Sequence, residues 1–234
     1  MEIKGTLKAG GICLIVMAVL NVLLDIIMAI GYDFPMRVQG ALQKNLPYVL
    51  AHHSHLTLFL TYKAVLPLLL IPGAIGAKYM LGERCRGIGL NAMVFAVVAA
   101  LTWCMSNMIW PSINWYAAQA LQHVGYTDML SYLLVGGLNS FAAIYLGLYL
   151  KVLCLSLWIF LLGLAGIRSK MIPNWLCYFG IVLAIIVWIM LFLRTFLVNP
   201  YVLDLGFNLF PIVNLWIFLL GCFMLLPPKD RESH

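Results

Sequence analysis

Residues Ala51–Gly73 read AHHSHLTLFLTYKAVLPLLLIPG. Three histidines, His52, His53 and His55, open the stretch, and one lysine, Lys63, stands inside an otherwise apolar run. Pro67 and Pro72 follow, each removing a backbone donor and favouring a kink. The run is long enough to cross a bilayer core of ~30 Å at ~1.5 Å per residue. If it is a span, Lys63 lies within the membrane, where a charge needs a reason to be.

Composition agrees with a span. Of the 234 residues, 64% are hydrophobic and 9% charged, and the mean hydropathy is +1.01. So few charges cannot cover a water-facing surface of this size, and the natural solvent is lipid. The net charge of +6 does not indicate a nucleic-acid partner, because the basic residues are spread through short loops. The cysteines, Cys13, Cys85, Cys104, Cys154, Cys177 and Cys222, form no CxxC pair and read as small packing residues.

Working outward gives an all-α membrane protein with six spans. Their approximate limits are 9–30, 55–77, 88–110, 140–166, 175–196 and 205–226. The first run contains Asp25 and is long for a signal segment, so it is expected to stay as an uncleaved span. Pro35 is expected to open an interfacial helix. Trp110 is expected to end span three at the interface, with a separate interfacial helix around Trp115, Tyr116 and Leu121 that stops near Gly125. Thr127 is expected to cap another, broken at Gly136 and Gly137.

Orientation follows from the basic residues. Lys4, Lys8, Lys78, Arg84, Arg86, Arg168, Lys170, Lys229 and Arg231 fall on one side of the spans, against Arg37, Lys44 and Arg194 on the other. The positive-inside rule then predicts both termini in the cytoplasm. No N-x-[ST] sequon occurs, in keeping with a bacterial cytoplasmic (inner) membrane. Lys63 and Lys151 each precede a glycine-containing segment and a basic turn, which hints at a duplicated hairpin.

On this topology Asp25 lies ~9 Å and Lys63 ~12 Å from the same outer face, so they can meet. Asn21 shares the helix face of Asp25. Lys151 and Asn214 sit at comparable depth. Asp25, Lys63, Lys151, Asn21 and Asn214 are therefore the candidate lining of an outward-facing polar pocket. The plainer reading is an ion pair that locks spans one and two. Two lysines against one carboxylate leave a positive surplus, which favours a small polar or anionic ligand.

The histidines offer another reading. On a helix, His52 and His55 stand at i and i+3, close enough to share a transition metal, with His123, Asp33 or Asp128 completing the set. One of them alone would serve as a haem ligand. No HExxH, G-x-S-x-G, P-loop or G-x-G-x-x-G occurs, so no enzyme class is indicated.

The segment Trp158–Gly180, WIFLLGLAGIRSKMIPNWLCYFG, carries a glycine-rich turn ending in Ile172-Pro173-x-Trp175. It resembles a bacterial family of six-span integral membrane proteins of unknown function. The resemblance implies a fold and supplies no activity. The leading expectation is a transport protein or ligand-handling accessory subunit in the lipid bilayer. The alternatives are a metal- or haem-binding redox protein and a structural subunit packed against other membrane subunits.

Overall fold

The computed structural model describes residues 2–32, 51–124, 137–138, 141–197 and 200–226. All the described structure is helical. The helices are α1 (Glu2–Tyr32), α2 (His53–Val65), α3 (Leu70–Leu81), α4 (Arg86–Val124), α5 (Lys151–Ser169), α6 (Asn174–Leu197) and α7 (Pro200–Leu225). Helices satisfy every backbone group internally, which is what a chain in lipid requires. Five stretches are long and apolar enough to cross a membrane: Lys4–Gly31, His53–Leu81, Arg86–Ile109, Tyr145–Ser169 and Asn174–Leu193. A sixth apolar stretch, Leu209–Leu225, is shorter.

Two interruptions were not legible in the sequence at this detail. A 3₁₀ turn, Leu66–Leu69, with Pro67 in its first turn, joins α2 to α3. A π-helical segment, Phe141–Leu150, runs directly into α5. The first begins three residues after Lys63, and the second ends immediately before Lys151. Departures of this kind mark hinges and functional sites in helical proteins.

The break expected at Trp110 is absent. α4 continues through Pro111 as one helix of 39 residues, about 58 Å long. A proline removes one ladder donor, and the remaining bonds carry the helix onward. The residues expected to form a separate interfacial helix therefore extend span three beyond a bilayer core of ~30 Å. The interfacial helices expected at Pro35 and Thr127 lie outside the described residues.

The helices close into a ring in chain order. α1 packs on α3, α3 on α4, α4 on α5, α5 on α6, α6 on α7, and α7 returns to α1. At one end the backbones come very close. A Cβ on Gly11 would lie 2.8 Å from the carbonyl oxygen of Gly221, and one on Gly221 would lie 2.8 Å from that of Gly11. One on Gly10 would lie 2.8 Å from the carbonyl of Pro72 and 3.1 Å from the Cα of Gly76. Small residues bring helices together in lipid, where hydrophobicity alone does not. The large core, with Leu14, Met17, Leu70, Trp158, Leu162, Trp216 and Leu220 fully buried, fills this half of the ring.

The same end carries the basic residues. A Cβ on Gly76 would lie 3.2 Å from the carbonyl of Thr6, and one on Gly11 would lie 3.1 Å from Leu225. Cys85 Sγ meets the carbonyl of Ala165 at 3.5 Å. The start of α1, the end of α3, the start of α4, the end of α5 and the end of α7 are thus together. Lys4, Lys8, Lys78, Arg86, Arg168 and Lys170 belong to this basic end. Here Lys170 closes α5 in the left-handed region, φ 56°, with its N–H on the carbonyl of Gly166 at 2.9 Å.

The glycines near the two lysines face different neighbours. Gly73 packs against Leu14 of α1, whereas Gly163 packs against Cys177 and Ile181 of α6. The contacts of the two hairpins therefore do not repeat.

Candidate functional site

The far half of the ring is built differently. α2 packs mainly on α4 and barely touches α1. The 3₁₀ turn redirects the chain at Pro67, so α3 hugs α1 while α2 parts from it. A small second apolar cluster, Met28 with Leu56, Phe59 and Leu60, bridges the parted helices farther out. Between this cluster and the main core lies a polar layer.

Asp25 and Lys63 meet in that layer. Lys63 Nζ donates to Asp25 Oδ1, and the side chains are 15% and 47% exposed for Lys63 and Asp25. The ammonium also lies 5.4 Å from the centre of the Phe59 ring. The meeting expected from depth alone is thus realised. The carboxylate on α1 is the more exposed partner of the pair.

Pro67 has a direct consequence here. It has no N–H to give the carbonyl four residues earlier, which is that of Lys63. Asn107 of α4 fills the role, its Nδ2 donating to Lys63 O at 2.8 Å. Asn107 was missed by sequence reasoning. The available signal was the proline, which identified a freed carbonyl but not its new donor.

Lys151 is held by aromatic rings. Its Nζ lies 4.9 Å from the ring centre of Trp103 and 5.2 Å from that of Phe210. The two rings meet edge to face at 4.9 Å. Each ring face carries negative potential and attracts the ammonium. Tyr145 and Tyr149, in the π-helical segment before Lys151, stack on each other at 6.3 Å. Trp103 stands one turn from Asn107 on α4, so the ring that holds Lys151 neighbours the amide bound to the Lys63 carbonyl. The three charged residues singled out in the sequence therefore share one layer, contributed by α1, α2 and α5.

Asn21 and Asn214 lie deeper. Asn21 is fully buried, and among the described residues neither its Nδ2 nor its Oδ1 has a partner. Asn214 is 3% exposed, and its Oδ1 is unpartnered among the described residues. Asn214 lies two turns from Gly221, on the face that meets α1. The Gly11–Gly221 crossing sets the register of these antiparallel helices. Counting back seven residues on α7 and up seven on α1 puts Asn214 level with Ala18, about one turn from Asn21. Asn214 is also one turn from Phe210. Both amides therefore border the layer that holds the lysines. Buried amides without partners are costly and uncommon.

The histidines gather elsewhere. His52 is the N-cap of α2, with φ −118° and ψ 20°, outside the regular helix. His53 stacks on Trp115 at 3.5 Å between ring centres, and its Nδ1 lies 3.3 Å from Thr57 Oγ1. This contact ties α2 to the extension of α4. Among the described residues no three His, Cys, Asp or Glu side chains come together. The side chains of His123, Asp33 and Asp128 lie outside the described residues. The described donors therefore do not make up the set that a metal needs.

No protein-family model, no curated protein and no solved structure matches the chain. The chemistry of the site is read from its own residues.

Proposed function

We propose that this is a six-span protein of a bacterial cytoplasmic membrane, with both termini in the cytoplasm and an outward-half polar site that handles a small ligand. On this reading Leu209–Leu225 belongs to the sixth span, and the basic end faces the cytoplasm. Transport, or ligand handling for a larger membrane assembly, is the activity this supports best.

One observation carries the reading: Asp25 pairs with Lys63, and Lys151 is held by a ring one turn along α4 from the amide bound to the Lys63 carbonyl, between two apolar clusters. A single ion pair would suffice to lock α1 to α2. A third charge, on α5 and cradled by rings from α4 and α7, is more than a lock needs. Charges inside a membrane are expensive and are retained where they act on a ligand or ion. The glycine-tight packing closes the layer towards the basic end, and the parted α1 and α2 open it in the other half.

The test is labelling of Asp25→Cys with a charged, membrane-impermeant thiol reagent, with the wild type as blank. Labelling in right-side-out vesicles and not in inverted ones is expected. Exclusive labelling from the basic side, or none from either side, would overturn an outward site.

A further inference from the structure

We propose that the polar layer takes one monovalent anionic group, such as a carboxylate, held between the ammonium of Lys151 and the amide of Asn21. This rests on the outward-half site of the preceding subsection and names its ligand chemistry.

Charge supplies the first argument. Among the described side chains inside the spans, Asp25, Lys63 and Lys151 leave a surplus of one positive charge. Asp25 is committed to Lys63. Lys151 has two ring faces and, among the described residues, no hydrogen-bond acceptor. Ring faces soften the cost of the ammonium but provide no counter-charge. One negative charge balances the layer. A dianion would overshoot, and a cation would add to the surplus.

Unused hydrogen bonds supply the second. Asn21 is wholly buried with its Nδ2 unpartnered among the described residues, and helical register sets it within about one turn of Phe210, one of the rings around Lys151. An amide N–H and an ammonium brought to one anion form a donor pair suited to a carboxylate. Asn21 thereby gains the partner it lacks among the described residues.

The route of entry follows from the parted helices. The Met28–Leu56 cluster lies beyond the layer and the main core lies beneath it. Asp25 stays 47% exposed between them, flanked by the exposed apolar residues Ile26 and Tyr62. Entry from the side, between α1 and α2, is the route that this exposure allows. A single negative head group reaches the layer on an amphiphile in the outer leaflet or as a small ion from water.

Calorimetric titration of the full chain in non-ionic detergent and sulfate buffer tests this, with acetate and laurate as probes. One site per chain is expected. Lys151→Gln should weaken binding about 10- to 100-fold, the loss of one charge-assisted contact, while Lys151→Arg should retain most of it. Saturation by acetate with no gain from laurate identifies a soluble monoanion. Binding of laurate at least tenfold tighter identifies a leaflet amphiphile. No binding of either probe, or equal binding in Lys151→Gln, overturns the inference. Should Lys151→Gln fail to fold, Asn21→Ala and titration of the wild type with dodecyltrimethylammonium replace it, and equal affinity for that cation overturns the inference. Thiol labelling at Asp25→Cys without anion binding removes this inference alone, whereas absence of labelling removes the site itself.

Discussion

Asn107 of α4 donates its side-chain N–H to the backbone carbonyl of Lys63, 44 positions away, at 2.8 Å. It occupies the place left by the N–H that Pro67 lacks. The proline that redirects span two and the asparagine that satisfies the freed carbonyl are one structural unit. The expected signature is non-additivity. Asn107→Leu should destabilise the protein by about 1–3 kcal/mol, the cost of an unsatisfied buried acceptor. In a Pro67→Ala background the same change should cost less, because the alanine introduced there supplies a helical N–H. Thermal unfolding in detergent of the four proteins of this cycle measures the coupling.

The ion pair of Asp25 and Lys63 should also behave as a unit. Asp25→Asn and Lys63→Gln should each destabilise. The half-exposed carboxylate sets the cost between ~0–1 kcal/mol for an open pair and ~3–5 kcal/mol for a buried one. The exchange Asp25→Lys with Lys63→Asp should recover part of that loss. Recovery no better than the sum of the single changes would show that the two side chains do not depend on each other.

Glycine substitutions should divide by position. Gly221→Ala places a methyl against a backbone carbonyl at 2.8 Å, and no flexible side chain can yield there. A loss of about 1–3 kcal/mol is expected from such overpacking. Gly5 and Gly87 have nothing within 4 Å of a Cβ. Their alanine variants should be neutral or gain up to ~1 kcal/mol from helix propensity. Equal behaviour of all three would contradict the close crossing of α1 and α7.

Lys170 is the non-glycine residue with positive φ among the described residues, at 56°. It ends α5 in the position where glycine is favoured. The left-handed conformation costs a side-chain-bearing residue about 1–2 kcal/mol. Lys170→Gly should therefore raise the unfolding midpoint, and Lys170→Val should lower it. The other basic residues of that end keep the charge asymmetry, so the orientation of the chain should not change in either variant.

The sequence by itself determined that the chain is helical and suited to lipid, which charged residues fall within the long apolar runs, and that basic residues concentrate at one end. These follow from local quantities: apolar run length, the cost of an open backbone in hydrocarbon, and the count of lysines and arginines. Depth counting even brought Asp25 within reach of Lys63. Only the tertiary structure decided which faces meet. An apolar helix in lipid carries little mark of its inner side, because lipid-facing and core-facing residues are equally hydrophobic. The partner of the Lys63 carbonyl, the rings of Trp103 and Phe210 around Lys151, the stacking of His53 on Trp115 and the parting of α2 from α1 all depend on helices distant in sequence. The unbroken α4 was likewise decided by structure, since a proline marks a lost donor but not whether the helix continues past it.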